Sequence, residues 1–275
     1  MEGRHGDVQQ AVARLGLRRH RQPALLSRQH DDAARRREED DGRDRQGHGA
    51  LSAAVGFARS GFEVFTDVVS EERLASLRAL PAFACQKQAG ARGFDDDALV
   101  SELACAFGPL GLLAAKLLGA TARPVRILFF DKSEARNWAV PWHQDRTIAV
   151  AEQHELAGFG PWSLKGGVPH VEPPSSLLAE MAILRLHLDD CGEQNGPLMV
   201  IDGSWRKGRV PTSQIQDHLA PSQVRVLVAS AGDVVVMRGL TIHASERARY
   251  PSRRRVIHVE YSARDLPKPL RWHGA

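Results

Sequence analysis

The sequence predicts a mainly β fold with flanking α-helices. β-forming segments follow one another from Val125 to Tyr261, with loops and no long helices between them, a spacing typical of an antiparallel sandwich or barrel. Helical patterns precede this region, between Ser70 and Gly119. The chain has 275 residues and is 43% hydrophobic, which is sufficient for one sizeable core.

Residues 1–55 differ from the rest of the chain. Residues 35–45 mix charges of both signs with almost no apolar periodicity, so this region cannot bury enough surface to offset its chain entropy. We expect a disordered N-terminal extension over residues 1–55 and a single folded domain over residues 56–275.

The first elements of that domain are helical. Residues 57–65 are typical of a helix end followed by a strand, and Ser70 is placed to cap a helix that Pro81 ends. A second helical region is predicted from about residue 96 to residue 118, interrupted near Gly108 and closed by Gly119.

The β region begins with a predicted strand over residues 125–130. Residues 146–150 predict a further strand, and the Gly- and Pro-rich residues 156–174 predict a long loop that could cover a substrate. Residues 181–190 alternate strictly, with three leucines on one face and a polar row on the other: Arg185, His187 and Asp189. The Asn195-Gly196 pair predicts a hairpin turn into the next strand.

A His-x-Asp pair stands out in the segment that follows the first strand. His143 and Asp145 are two residues apart among β-forming residues, and residues i and i+2 of a strand project from one face. They supply two ligands of the 2-His-1-carboxylate triad that holds Fe(II). With 12 His and 33 acidic residues in the chain, such a pair is weak evidence alone. The triad needs a third ligand, which we assign to His243.

Three arginines begin the last predicted strand, at positions 253–255. A guanidinium there could pair, in a planar fork, with the far carboxylate of a dicarboxylic co-substrate that chelates the metal at its other end. His-x-Asp, a distal His and then an Arg form a much more specific pattern than the His-x-Asp pair.

These residues resemble the phytanoyl-CoA dioxygenase family of Fe(II)- and 2-oxoglutarate-dependent oxygenases. The resemblance runs from about Gly61 to Tyr261. It is carried by the following motifs: Gly61-Phe62-Glu63-Val64, Trp142-His143-Gln144-Asp145, Asn195-Gly196-Pro197, Gly232-Asp233-Val234 and His243-Ala244-Ser245 with Arg254. Trp205 is a departure, since relatives often carry His there, but that position is not a metal ligand.

The resemblance implies a double-stranded β-helix, the cupin-like jelly roll, which unites strands distant in sequence. It implies Fe(II) held by His143, Asp145 and His243, with 2-oxoglutarate and O2 as co-substrates. Arg254 and Ser245 would grip the far carboxylate of 2-oxoglutarate. The expected reaction is hydroxylation of an unactivated C–H bond, with release of succinate and CO2. Halogenating relatives carry a small residue where Asp145 stands, so Asp145 favours hydroxylation, although desaturation, epoxidation and ring formation use the same three ligands.

The substrate is expected to be a small organic molecule. Candidate pocket residues are Trp142, Trp162, Arg185 and His187. A polar row such as Arg185 and His187 is, however, at least as often the solvent-exposed face of an edge strand. The other histidines, His258 among them, are expected to be satisfied or solvent-exposed.

Two other functions compete with this hypothesis. One is a non-catalytic or differently metallated jelly roll that binds a ligand, and such a barrel has no need of an arginine at position 254. The other is a zinc hydrolase, which would require a general-base Glu as in H-E-x-x-H, and the sequence has no such motif.

Composition excludes several other classes. The net charge of +4 comes with no clustered basic face, so no nucleic-acid partner is expected. The three cysteines form no C-x-x-C motif, and no apolar run approaches the ~18 residues that a membrane span needs. A cytoplasmic protein without membrane partners is expected, and nothing in the sequence indicates an oligomeric state.

Overall fold

The computed structural model describes residues 56–84 and 97–274. The expected disorder of residues 1–55 lies outside these ranges, and the division into an extension and one domain stays a prediction. Residues 56–60 are helical. The helices that follow are α1 (Glu71–Arg78), α2 (Pro81–Ala84), α3 (Ala98–Ala104), α4 (Pro109–Leu118) and α5 (Ser175–Ala179).

The described part of the chain contains twelve strands. They are β1 (Phe62–Phe65), β2 (Arg123–Lys132), β3 (Val140–His143), β4 (Ile148–Ala149), β5 (Trp162–Lys165), β6 (Val168–Val171), β7 (Ala182–His187), β8 (Leu198–Ile201), β9 (Val224–Leu227), β10 (Val234–Arg238), β11 (His243–Ser245) and β12 (Arg254–Ser262).

The strands form three antiparallel sheets in the described part of the chain. The major sheet has the order β1-β10-β7-β12-β2, the minor sheet β3-β11-β8-β9 and the third sheet β4-β6-β5. Neighbouring strands in the major sheet are far apart in sequence, as the pairing of β12 with both β2 and β7 shows. This is the mainly β jelly roll with flanking helices that the sequence predicts, and the fold class is confirmed.

Strand alternation divides the residues of the major sheet between two environments. Its outer face packs against the helices through a large buried cluster that includes Leu184, Leu186, Ile257 and Val259. On its inner face, a second cluster joins β7 and β10 to the minor sheet; its members include Ile183, Val235, Met237, Leu198 and Val200. Polar residues on the inner face of β7 and β12 therefore face the space between the two sheets.

The predicted helices form with changes at their ends. Ser70 occupies the N-cap position of α1, but its side chain accepts no capping hydrogen bond. Pro81 does not simply end α1, because it begins the short helix α2, where the absence of a proline N–H costs nothing. Gly119 ends α4 with a φ of 102°.

The stretch Ala98–Leu118 is long and apolar enough to qualify as a membrane-span candidate by length and composition. It is divided into α3 and α4 around Gly108. Four of its apolar side chains, Val100, Leu103, Leu110 and Leu113, are buried in the cluster on the outer face of the major sheet, whereas Leu99, Phe107 and Leu112 are exposed. This burial is that of core helices. The absence of membrane partners stays a prediction.

Three strand predictions are corrected by the structure. β3 ends at His143, so Asp145 follows the strand instead of sharing its face with His143. Residues 146 and 147 lie outside β4. Residues 156–174 are not a structureless loop, because they contain β5 and β6, which pair with each other and with β4.

The predicted Asn195-Gly196 hairpin is also wrong, because β7 and β8 belong to different sheets. The segment between them crosses from the major to the minor sheet through a short 3-10 turn over Glu193–Asn195. Gly196 still needs its positive φ of 61°. A pair of residues that favours a tight turn cannot by itself distinguish a hairpin from a crossover.

We expect Gly196→Ala to lower the free energy of unfolding by about 2 kcal/mol, since alanine is strained at positive φ. A Cβ atom there would also lie 2.5 Å from the Glu246 carbonyl oxygen. Chemical denaturation measures the change. Gly192→Ala is the matched control, because Gly192 has a φ of −75° and open space around its Cβ position. Equal stabilities of the two variants would contradict the prediction.

Candidate metal centre

The structure brings His143, Asp145 and His243 together. His143 ends β3 and His243 begins β11, and these two residues are direct partners across the minor sheet. Their ring centroids lie 4.2 Å apart. The Asp145 carboxylate lies 3.8 Å from Nε2 of His143 and 3.7 Å from Nε2 of His243. One ligand atom from each residue fits within 4.8 Å of the others, which is the spacing of a single metal ion.

Both histidines are oriented by backbone carbonyls. Nδ1 of His143 lies 2.8 Å from the Pro141 carbonyl oxygen, and Nδ1 of His243 lies 2.9 Å from the Thr241 carbonyl oxygen. A carbonyl oxygen can only accept, so each Nδ1 must carry the proton and donate it. The lone pair of each ring is then on Nε2, the atom that faces Asp145, as metal-ligating histidines require.

The charges of the centre also suit a cation. Burial lowers the pKa of His243 to about 4, so its ring is neutral near pH 7 and its Nε2 lone pair is free. Burial alone raises the pKa of Asp145, but attraction to His243, His258 and His143 outweighs it and holds the pKa well below its usual range. An ionised carboxylate beside two Nε2 lone pairs fits Fe(II), and three ligands on one side leave positions open for co-substrate.

Gln144 lies between His143 and Asp145 in the sequence, and its side chain is hydrogen-bonded to the loops around the candidate metal centre. Its side-chain amide donates to the carbonyl oxygens of Gly208 and Leu240, and its Oε1 accepts from the Val210 N–H. The residue is buried. These bonds fix the backbone at the point where the chain leaves β3 and presents Asp145.

Arg254 and Ser245, the predicted ligands of the far carboxylate of 2-oxoglutarate, lie in the same space between the two sheets. Arg254 begins β12, is buried, and donates from Nη1 to the Gly196 carbonyl oxygen, while its Nε has no partner among the described residues. Ser245, at the end of β11, is buried, and its Oγ accepts from Lys132 Nζ at 3.0 Å. The two neighbouring arginines are otherwise engaged, Arg253 with Asp131 and Arg255 with Asp189.

Lys132 lies beside Arg254 and Ser245, and the sequence did not predict it as a site residue. It is the direct partner of Arg254 across β12 and β2, and it is buried. Burial, together with repulsion from Arg254 and Arg185, lowers its pKa to about 7. Its position in register with Arg254 could be found only from the pairing of β2 with β12, which the sequence does not show.

A chain of four hydrogen-bonded side chains runs along the inner face of the major sheet beside Asp145. Arg185 Nη1 donates to Nδ1 of His258 at 3.0 Å, and Nε2 of His258 lies 3.4 Å from Glu260 Oε1. Glu260 pairs in turn with Arg126. His258 is satisfied, as expected, but its place in the site was not foreseen.

Asp145, His258 and Glu260 also lie within metal-binding distance of one another. That second cluster does not suit a cation, because His258 and Glu260 are each already bonded to a guanidinium.

The remaining candidate pocket residues lie in different places. His187 faces the inner space, and Trp142 packs against the cluster of Ile201, Val210, Ile215 and Ile242. Trp162 packs against a third apolar cluster that includes Val171 and Leu177. A small cavity beside the metal centre is lined by Asp145, Thr147, Leu178, Met181, Ile183, Gly239 and Glu260.

A sequence model of the family described as Phytanoyl-CoA dioxygenase (PhyH) matches residues 57–256. No curated protein matches the chain.

Several solved structures share the fold. EctD from S. alaskensis, crystallised with 2-oxoglutarate and 5-hydroxyectoine, is 20% identical, with a TM-score of 0.57 over 78% of this chain and 77% of that one. The epimerase SnoN, in complex with Fe3+, alpha ketoglutarate and nogalamycin RO, is 14% identical, with a TM-score of 0.57 over 81% and 91%. EvdMO1 is 19% identical with a TM-score of 0.57; the match covers 78% of this chain but only 49% of EvdMO1.

Proposed function

Since the chain belongs to the phytanoyl-CoA dioxygenase family, whose members are Fe(II)- and 2-oxoglutarate-dependent oxygenases, we propose that it hydroxylates an unactivated C–H bond of a small organic substrate. The co-products are succinate and CO2. We further propose that the protein acts in the cytoplasm, without nucleic-acid or membrane partners.

The observation that carries the proposal is the orientation of the two imidazoles. Backbone carbonyls hold the Nδ1 protons of His143 and His243, so both Nε2 lone pairs meet the ionised carboxylate of Asp145. A structural ion pair would not need both imidazoles to present Nε2 to one carboxylate.

The residues then have separate tasks. His143, Asp145 and His243 would hold the iron, and Arg254 with Ser245 would bind the far carboxylate of 2-oxoglutarate. Bound iron and 2-oxoglutarate supply the oxidising chemistry. The chain would orient both, and the apolar cluster between the sheets would help to exclude water from the inner space.

The proposal is tested by incubating the purified protein with Fe(II), 2-oxoglutarate and O2 and measuring succinate. Slow formation of succinate without added substrate, dependent on both iron and O2, is the expected result. A candidate substrate should raise that rate and yield a product heavier by one oxygen atom. A folded protein that binds iron and 2-oxoglutarate but forms no succinate with any candidate substrate would instead support a ligand-binding jelly roll.

Binding of 2-oxoglutarate should weaken as the pH rises above about 7, because Lys132 loses its proton there. The dianion prefers the charged ammonium, so the affinity should fall by up to about tenfold per pH unit, the limit for one linked proton. Calorimetric titration between pH 6.5 and about 8.5 measures this slope. Lys132→Met should bind more weakly and with a flatter pH profile, and an unchanged slope in this variant would contradict the assignment.

A further inference from the structure

Three cationic side chains on the inner face of the major sheet form no ion pair within the described residues. They are Lys132, Arg185 and Arg254. Lys132 and Arg254 are direct partners at one end of the face and suit one carboxylate. Arg185 lies elsewhere on β7, so a single carboxylate at the Arg254 end does not account for it. Lys132 and Arg254 are buried and Arg185 is half-buried, and such a charge without a counter-ion is costly unless a ligand supplies one.

Arg185 lies between Arg254 and the metal centre. It pairs in register with His258, which is four residues after Arg254 on β12, or about 13 Å along the strand. Its Nη1 donates to His258, which in turn lies within metal-binding distance of Asp145. Its guanidinium also packs 5.3 Å from the centre of the Phe130 ring. These contacts hold the guanidinium beside the proposed metal ligands, and its Nε has no partner among the residues that the structure describes.

His187 lies between Arg185 and Arg254 on the inner face of the major sheet, because it pairs with Val256. It lies two residues after Arg185 on the same face of β7 and is only 2% exposed. Neither of its ring nitrogens has a hydrogen-bond partner in the described structure. Nε of Arg254 is unpartnered as well. Buried polar atoms are rarely left unpaired, so the two ring nitrogens of His187 indicate a polar ligand in this space.

We infer that Arg185 pairs with the metal-proximal carboxylate of the 2-oxo acid, so that the co-substrate is held by a guanidinium at each end. The inference rests on the proposed function and extends it. Arg254 alone would bind only the distal carboxylate of the co-substrate. It also reassigns Arg185 from the substrate pocket to the co-substrate. His187 contributes an N–H to the same space between the two arginines.

The test compares two keto acids on the Fe(II)-loaded protein under anaerobic conditions by calorimetry. 2-Oxoglutarate has both carboxylates, whereas 2-oxobutyrate lacks the distal one. Arg185→Leu should weaken the binding of both by about tenfold or more, since each loses a charge-assisted hydrogen bond. Arg254→Leu should weaken only 2-oxoglutarate. Arg185→Lys, which keeps the charge, should recover part of the affinity for both acids.

Other results would overturn the inference. Wild-type affinity of Arg185→Leu for both acids would assign Arg185 to the fold or to the substrate, and a loss confined to 2-oxoglutarate would place it at the distal carboxylate. Loss of iron from the variant would show that Arg185 acts only through His258 and Asp145. Thermal unfolding of each variant shows whether it is folded. Failure of the wild type to bind iron or 2-oxoglutarate would reject the proposed function itself.

Discussion

Asp145→Ala is expected to reduce succinate formation and Fe(II) affinity by more than about 100-fold, since loss of a residue that only supports a ligand already costs about 10- to 100-fold. The two histidines cannot replace the negative charge of the carboxylate. The variant should fold, because the Asp145 side chain faces the centre and forms none of the hydrogen bonds that Gln144 gives to the surrounding loops. Metal analysis after gel filtration and a succinate assay measure both effects, and His143→Ala should behave in the same way.

His154→Ala is the matched control. His154 also lies close to a carboxylate, that of Glu152, but its side chain is 37% exposed and it belongs to no candidate metal cluster. It should retain wild-type iron content and activity. Full activity in Asp145→Ala or His143→Ala would contradict the assigned metal ligands.

Arg254→Leu is expected to raise the 2-oxoglutarate concentration required for half-saturation by about 30-fold or more. Truncating one partner of a buried, hydrogen-bonded charge pair costs about 2–5 kcal/mol, and each 1.4 kcal/mol is a factor of ten. Iron affinity should change little, because a guanidinium is not a metal ligand and Arg254 donates to Cys191 and Gly196, not to a proposed metal ligand. Titration of 2-oxoglutarate into the iron-loaded variant measures the effect.

Arg253→Leu tests whether the neighbouring arginine has the same task. Arg253 pairs with Asp131 and its side chain is 48% exposed, so it lies away from the inner space. Its variant should bind 2-oxoglutarate as the wild type does. If Arg253→Leu lost more affinity for 2-oxoglutarate than Arg254→Leu, the assignment of Arg254 as the carboxylate ligand would be contradicted.

Alternation along strands was the property that the sequence predicted best. It placed Leu184 and Leu186 in the core and Arg185 and His187 on the opposite face, because successive side chains must point to opposite sides of a sheet. The ligand set followed from spacing and resemblance, and the structure brings its three members together.

Contacts between distant strands could not be predicted. Lys132 and His258 join the site only through the pairing of β12 with β2 and β7, which no local pattern encodes. The same limit explains the wrong hairpin at Asn195-Gly196, since its two flanking strands belong to different sheets. The hairpin of β5 and β6 was missed because glycine and proline in residues 156–174 resemble a loop.

Anaerobic titration of the Fe(II)-loaded protein with 2-oxoglutarate tests the central claim most directly. Chelation of the iron by the keto-acid end should produce a weak visible charge-transfer band that saturates with added 2-oxoglutarate, and Arg254→Leu should need far more of it to reach the same absorbance. A folded, iron-loaded protein that shows no band at any concentration would contradict the assignment of this site to 2-oxoglutarate chemistry.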